Sequence, residues 1–339
     1  MTVQVSLPLD AMESLKPMHL PLELVLNVIT CSLPKPNVLL RPAHPITQLL
    51  LQFTLVCHET RRVANRALRE HCVYLSSQPR LCSLLLAIAT ARPDLRQITA
   101  LVLAPFGGSI DDQPTATWVQ ELLQHTCPTL KRLIIDIPLR SVYPERDRQG
   151  VRNILREGFQ RLEHLEEFVS VQDELFLDLY WHGGEQAFWT RWSKLRRLAL
   201  YNPASHPSFW RDVAKMENLE TIIMTRADGL RDYDIKSQYF RHCNKPLKVL
   251  LINIDSQQMR YGNFRRGNWD VADPKRNMTV MTYSIPLFMD DDPNEVCQDY
   301  VRIGAEHGTI WDWEGEIIQH PPRFAQPSRP AELVSFFDQ

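Results

Sequence analysis

One apolar pattern recurs through the middle of the chain and limits what it can become. The segments ITALVL (98–103), LKRLII (130–135), LEEFVS (165–170), LRRLAL (195–200), LETIIM (219–224) and LKVLLI (247–252) each carry apolar residues at positions one and four. Five of the six are also apolar at position six, Ser170 being the exception. Their starts lie 32, 35, 30, 24 and 28 residues apart, room enough for a strand, a return helix and two loops. Helix candidates fill those gaps: 116–126, 148–162, 208–216 and 230–243. A strand followed by a crossover helix and a second strand pairs in parallel, so the fold class expected is α/β with a parallel sheet.

Two arrangements of such units are open. A doubly wound sheet places a ligand beside the strand ends, with a glycine-rich turn opening a helix. No turn of that spacing follows these strands: FGGS (106–109) and HGG (182–184) lack it. The repeat therefore resembles a degenerate leucine-rich-repeat solenoid. In that frame positions one, four and six point into the core. Position five then lines the opposite, concave face with Val102, Ile134, Val169, Ala199, Ile223 and Leu251, flanked by Arg132, Glu167 and Arg197 at position three and by Asp136, Tyr201, Thr225 and Asn253 at position seven. That column serves either as a partner-binding strip or as a face covered by the C-terminal segment. The residues expected to meet a target on an open face are Ile134, Val169, Arg197, Tyr201, Ile223 and Leu251.

Upstream lies a different composition. HLPLELVLNVITCSL (19–33) has its polar residues Glu23, Asn27 and Thr30 on one narrow stripe, leaving the rest of the cylinder apolar. A helix of this kind needs cover on two sides, where a surface helix needs it on one. Pro21 suits a helix start, and Pro34 and Pro36 end it near Cys31. After the proline-rich connection PKPNVLLRPAHP come a second apolar helix (46–57) and an ordinary half-buried one (58–72), the latter with Arg61, Arg62, Arg66 and Arg69 outward. Together, residues 19–75 resemble an F-box, with a longer connection between the first two helices than the commonest members have. The resemblance implies docking onto a Skp-type adaptor of a cullin-RING ubiquitin ligase. Leu20, Pro21, Glu23, Leu24, Ile29, Leu50, Val56 and Cys57 would then face or shape the adaptor interface.

The organisation expected is thus a flexible stretch over 1–18, the F-box-like segment over 19–75, the solenoid with a C-terminal extension over 76–320, and a tail over 321–339. That tail would dock through Leu333, Val334, Phe336 and Phe337. The fold implied is an N-terminal three-helix F-box followed by an irregular leucine-rich-repeat solenoid. The function implied is that of a non-catalytic substrate receptor of a Skp-cullin-F-box ligase, and the alternative is a non-ligase scaffold whose F-box-like cap is internal.

Composition narrows the partners. With 38 Lys and Arg against 40 Asp and Glu, the chain has no global field for nucleic acid. Acidic Asp10 and Glu13 with Pro8 and Pro17 are unlike a signal peptide, and LCSLLLAIATA (81–91) is short of a bilayer span, so a cytoplasmic or nuclear location without a membrane partner is expected. Seven scattered cysteines without a C-x-x-C pair fit free thiols. His125 with Cys127, and His242 with Cys243, lack the separated pairs of a zinc site. Asp290–Asp292 read as a helix cap within an acidic stretch, 286–320, that holds nine acids against Arg302 alone. No nucleophile elbow, phosphate loop or paired-histidine zinc motif is present, so no cofactor, metal or catalytic residue is assigned.

Overall fold

Period-two alternation along eight short parallel strands organises the molecule. In the computed structural model the residues described are 21–90, 93–178, 187–254, 265 and 267–318. Three helices come first: α1 (Leu22–Ser32), α2 (Pro45–Phe53) and α3 (His58–His71). Strand β1 (Tyr74–Leu75) and α4 (Gln78–Thr90) follow. Then β2 (Ala100–Leu103), α5 (Gln113–Thr126), β3 (Arg132–Ile135), α6 (Val151–Gln160), β4 (Glu167–Ser170) and β5 (Arg197–Tyr201) alternate. The chain continues through α7 (Pro207–Lys215), β6 (Thr221–Thr225), α8 (Ile235–Tyr239), β7 (Leu247–Ile254), α9 (Trp269–Ala272), β8 (Met278–Ile285), α10 (Pro293–Glu306) and β9 (Glu316–Ile317). The strands form one sheet in chain order, parallel from β1 to β8, with β9 antiparallel to β8.

Local chemistry explains where several helices begin. α2, α5, α7 and α10 each have proline in the first two positions, where the missing N–H costs nothing. Each is also capped by a side chain: His44, Asp112, His206 and Asp292 accept from backbone N–H groups of the first turn. Gly158 brings α6 against α5, since a Cβ there would sit 3.1 Å from the Gln120 Cα.

The two faces of the sheet bury two separate cores. Leu101, Leu103, Leu133, Ile135, Phe168, Leu198, Leu200, Ile222, Met224, Val249 and Leu251 face helices α4 to α8, together with Trp192 and Trp210. Both indoles are satisfied, Trp192 donating to the Phe159 carbonyl at 2.9 Å and Trp210 to Ser205 Oγ at 2.9 Å. The alternate residues Val102, Ile134, Val169, Ala199, Tyr201, Ile223, Leu250 and Ile252 face the other way. There they pack beneath Cys297, Val301, Ala305, Ile310 and Trp311 of α10 and its exit turn, with Leu39 from the N-terminal connection.

This architecture corrects the expectation of a three-helix F-box ahead of an open solenoid. The chain forms a single α/β domain with ten α-helices among the described residues and a nine-stranded mixed sheet. The position-five column is sealed: Val102, Ile134 and Ile223 have no exposure and Val169 only 3%. A parallel sheet apolar on both faces requires cover on both, and α10 supplies the second. The N-terminal helices are not a detachable cap either. Leu39 N donates to Glu306 O at 2.7 Å and Leu40 N to His71 O at 2.6 Å, and β1 leads directly from α3 into the sheet. Leu251 is also corrected. Thr221 pairs with Lys248 and Ile223 with Leu250, so in β7 the hexad is one residue out of frame, and a one-residue slip moves every side chain to the opposite face.

A carboxylate placed under α10 separates the two architectures. Val301→Asp, at a site 1% exposed, is expected to cost about 3 kcal/mol or more because the charge has no partner there. Tyr300→Asp on the outer side of the same helix should stay within about 0.5 kcal/mol of the parent. Urea denaturation of both variants gives the comparison, and equal stabilities would contradict the covered face.

Candidate functional site

Two groups of residues stand out: a buried ionic cluster where α10 meets the sheet, and an apolar surface on α1 and α2. The cluster is built from the strand residues that precede each apolar pair. Arg132, Glu167 and Arg197 are neighbours in register on β3, β4 and β5. Glu167 accepts from Arg197 Nη1 at 2.8 Å and from Trp311 Nε1 at 3.1 Å, and lies 3.3 Å from Arg132 Nε. The Arg132 guanidinium also donates to the carbonyls of Asn37 and Ala305. It thus closes the C-terminal end of α10, where unpaired carbonyls concentrate negative potential. Burial pushes its pKa down and Glu167 opposes that shift.

Glu306, at the last turn of α10 and 4% exposed, completes this end. It accepts from Arg41 Nε at 2.8 Å and Nη2 at 3.2 Å, and from the Tyr74 hydroxyl at 2.9 Å. Burial raises the Tyr74 pKa, with the Glu306 charge adding to it. Gly308 at φ +68° lets the chain leave the helix, and a Cβ there would run into the Asn37 carbonyl. Every charged group of the cluster is spent on another, so it reads as a fastening for α10.

Elsewhere, Asp173 is 1% exposed and accepts three backbone N–H groups, from Leu139 at 3.0 Å, Leu175 at 2.8 Å and Phe176 at 3.3 Å. Burial pushes its carboxyl up to about 7 against those donors, which favour the charged form. Asp292 caps α10 through the Asn294 and Glu295 N–H groups, and the Asp291 carboxylate accepts from Phe288 N at 3.2 Å. Among the described residues, no group of three or more His, Cys, Asp and Glu side chains is arranged to hold a metal ion.

The apolar surface comes from α1, α2 and the turn after them. Their shared core is small: Ile29, Leu50, Ala64 and Ala67 are its only fully enclosed apolar side chains among the described residues. Two alanines on α3 bring the helices close but cover little. Leu22, Leu24 and Val28 on α1 are left 39%, 51% and 49% exposed, with Leu49 and Leu51 on α2 and then Leu55 and Val56 also open to solvent.

Against this geometry the residues singled out from sequence divide. Leu20 lies outside the described residues. Pro21, Glu23, Leu24, Val56 and Cys57 are exposed, whereas Ile29 and Leu50 have no exposure at all. Cys57 is the N-cap of α3, and hydrogen bonds with Thr60 hold its thiol below the usual range. Ile134, Val169, Tyr201 and Ile223 are enclosed beneath α10, Arg197 is paired with Glu167, and Leu251 is on the opposite face. The Tyr201 hydroxyl donates to Asn294 Oδ1 at 2.8 Å, and burial pushes its pKa up to about 12. The C-terminal tail with Leu333, Val334, Phe336 and Phe337 lies outside the described residues.

Comparisons of the chain with family models, curated proteins and solved structures find no match. The geometry and that result together overturn the substrate-receptor reading. Its adaptor module and its target-binding solenoid are both replaced by one α/β domain, and no F-box or leucine-rich-repeat family model supports either. The alternative with an internal cap is corrected as well, since Leu24 is half exposed.

Asp173 gives the fold a measurable pH signature. Its folded pKa lies above the unfolded value of about 3.9, so between about pH 4 and 7 the native state keeps a proton that the unfolded chain has lost. Its contribution to stability is therefore present at low pH and declines as pH rises through that window. Denaturation midpoints of the parent protein and Asp173→Asn, followed across that range, should diverge in slope. Parallel profiles would contradict the shift.

Proposed function

We propose that this chain is a non-catalytic protein-interaction module, and that a second protein seats an apolar face on the outer sides of α1 and α2. The observation that carries this reading is where the exposed apolar side chains fall. Sixteen large hydrophobic side chains are exposed among the described residues, and seven of them, Leu22, Leu24, Val28, Leu49, Leu51, Leu55 and Val56, belong to one stretch of 35 residues. Between residues 22 and 57 the only charged residues are Glu23, Lys35 and Arg41, in a chain that is 23% charged.

A surface both apolar and poor in charge has the composition of an interface core, whereas a solvated helix face alternates apolar and charged residues. Leaving such groups in water costs about 25 cal/mol per Å² of apolar area, which a partner recovers by covering them. The small core beneath suits the same role, because covering the outer sides would add to the burial that holds α1 in place. No helix among the described residues is long and apolar enough to cross a membrane.

Photo-crosslinking residues placed at Leu24 and Leu55 test this in the protein's own cells, with Leu86 on α4, 60% exposed, as the control position. One recurrent polypeptide should be captured from positions 24 and 55 and not from 86. Val28→Asp should weaken its binding by about 2 kcal/mol or more, as loss of a central anchor does. Crosslinks only to a second copy of the chain, or only to its own residues 1–20 or 319–339, would overturn the proposal.

A further inference from the structure

An open cleft of about 660 Å³ lies where α2 and α3 meet α4 and the sheet edge at β1. Its volume falls within the range of about 300 to 1,000 Å³ typical of small-molecule sites. The floor is apolar, formed by Leu51, Leu68, Leu75, Leu84, Leu95 and Ile98. The lining includes Arg69 on α3 and Arg80 in the first turn of α4, and it includes no aspartate or glutamate. Neither arginine makes an ion pair or a hydrogen bond among the described residues. Asn65, one helical turn before Arg69 and also in the lining, makes none either.

The remaining polar groups of the wall are already engaged. Thr47 Oγ1 donates to the Arg41 carbonyl at 3.0 Å, Gln48 Nε2 to the Pro42 carbonyl at 2.8 Å, and Ser83 Oγ to the Pro79 carbonyl at 2.7 Å. Among the lining side chains, the two guanidinium groups and one amide are thus the ones without an internal partner. A ligand with one anionic head and an apolar body matches a leucine-rich lining that carries two uncompensated arginines and no carboxylate. Its head would take charge-assisted hydrogen bonds from the arginines. The positive end of α4 favours the same charge at the same place.

We infer that this cleft binds a small amphiphilic carboxylate, with the hydrocarbon on the leucine floor and the carboxylate held by Arg69 and Arg80. The cleft shares Leu51 with the partner face proposed above, whereas the two arginines that select the ligand lie outside that face.

The test is calorimetric titration of the full chain with decanoate, decanol and decyltrimethylammonium, each below its micelle concentration, alongside a capped peptide of two leucines and two glutamates. Decanoate should bind one site about tenfold more tightly than decanol, and decyltrimethylammonium more weakly than either. The double variant Arg69→Gln, Arg80→Gln, whose altered positions are exposed or half-exposed and make no internal bond, should bring decanoate down to the level of decanol and leave decanol unchanged. Equal binding of the three decyl compounds, no saturable binding, or an unaltered decanoate affinity in the double variant would overturn the inference. Tighter binding of the peptide than of decanoate would assign the cleft to a polypeptide and overturn it equally.

Discussion

The Glu306 carboxylate holds the molecule's two halves together. Arg41 comes to it from the N-terminal connection, Tyr74 from the first strand, and its own helix crosses the second face of the sheet. A buried carboxylate without such partners would be ruinous; with a two-point guanidinium contact and a phenol it becomes a fixed point. Arg132 does the complementary work a short way off, donating to a carbonyl at the end of α10 and to the Asn37 carbonyl. Neither contact makes much net stability by itself. Their effect is to set where α10 lies, and once it lies there Val301, Ala305, Ile310 and Trp311 cover the apolar column of the strands.

Closing the second face determines where function can reside. A sheet open on one side offers a broad recognition surface; here both sides are core, and the charged rows at the strand starts are consumed in fastening. Seven of the sixteen large hydrophobic side chains exposed among the described residues belong to the N-terminal helical layer, whose core of two large side chains and two alanines is too small to draw every leucine inward. The exposed apolar side chains of α1 and α2 and the cleft beside α4 are both consequences of that shortage. α3 packs on α2 and α1 through small residues, and the space between this layer and α4 is left unfilled.

Much of the sheet was legible because its signal is periodic. Six apolar hexads place β2 to β7, since a strand's two faces leave an alternation that needs no tertiary knowledge. Proline and the Asp292 cap placed α10 for equally local reasons. Sequence left two alternatives for the position-five column, a bare strip or a face covered by the C-terminal segment, and α10 realises the second. α10 has an ordinary amphipathic pattern, and nothing in it names the face it will cover. Leu251 was misplaced because β7 is longer than the hexad and enters one residue early. α4 passed as a mere apolar run, although Leu81, Leu85 and Ile88 have helical spacing. Arg152 shows the limit most plainly. On a helix read as a crossover, it is 1% exposed and donates to the carbonyls of Leu139, Val142, Phe176 and Asp178, which belong to the segments before and after that helix. The F-box resemblance failed for a related reason: it rested on a motif of three helices, and the connection between the first two is tied to Glu306 and His71 by contacts that no local motif encodes.

Amide hydrogen exchange under native conditions tests the central claim, that α10 is an integral layer fastened across the sheet. If α10 closes the second core, its amides from Cys297 to Ala305 exchange only with global unfolding, in the same slow class as those of β3 and β6. If those amides exchange orders of magnitude faster than the strands, with the strands still protected, the helix is a loose appendage on an open sheet and the account fails.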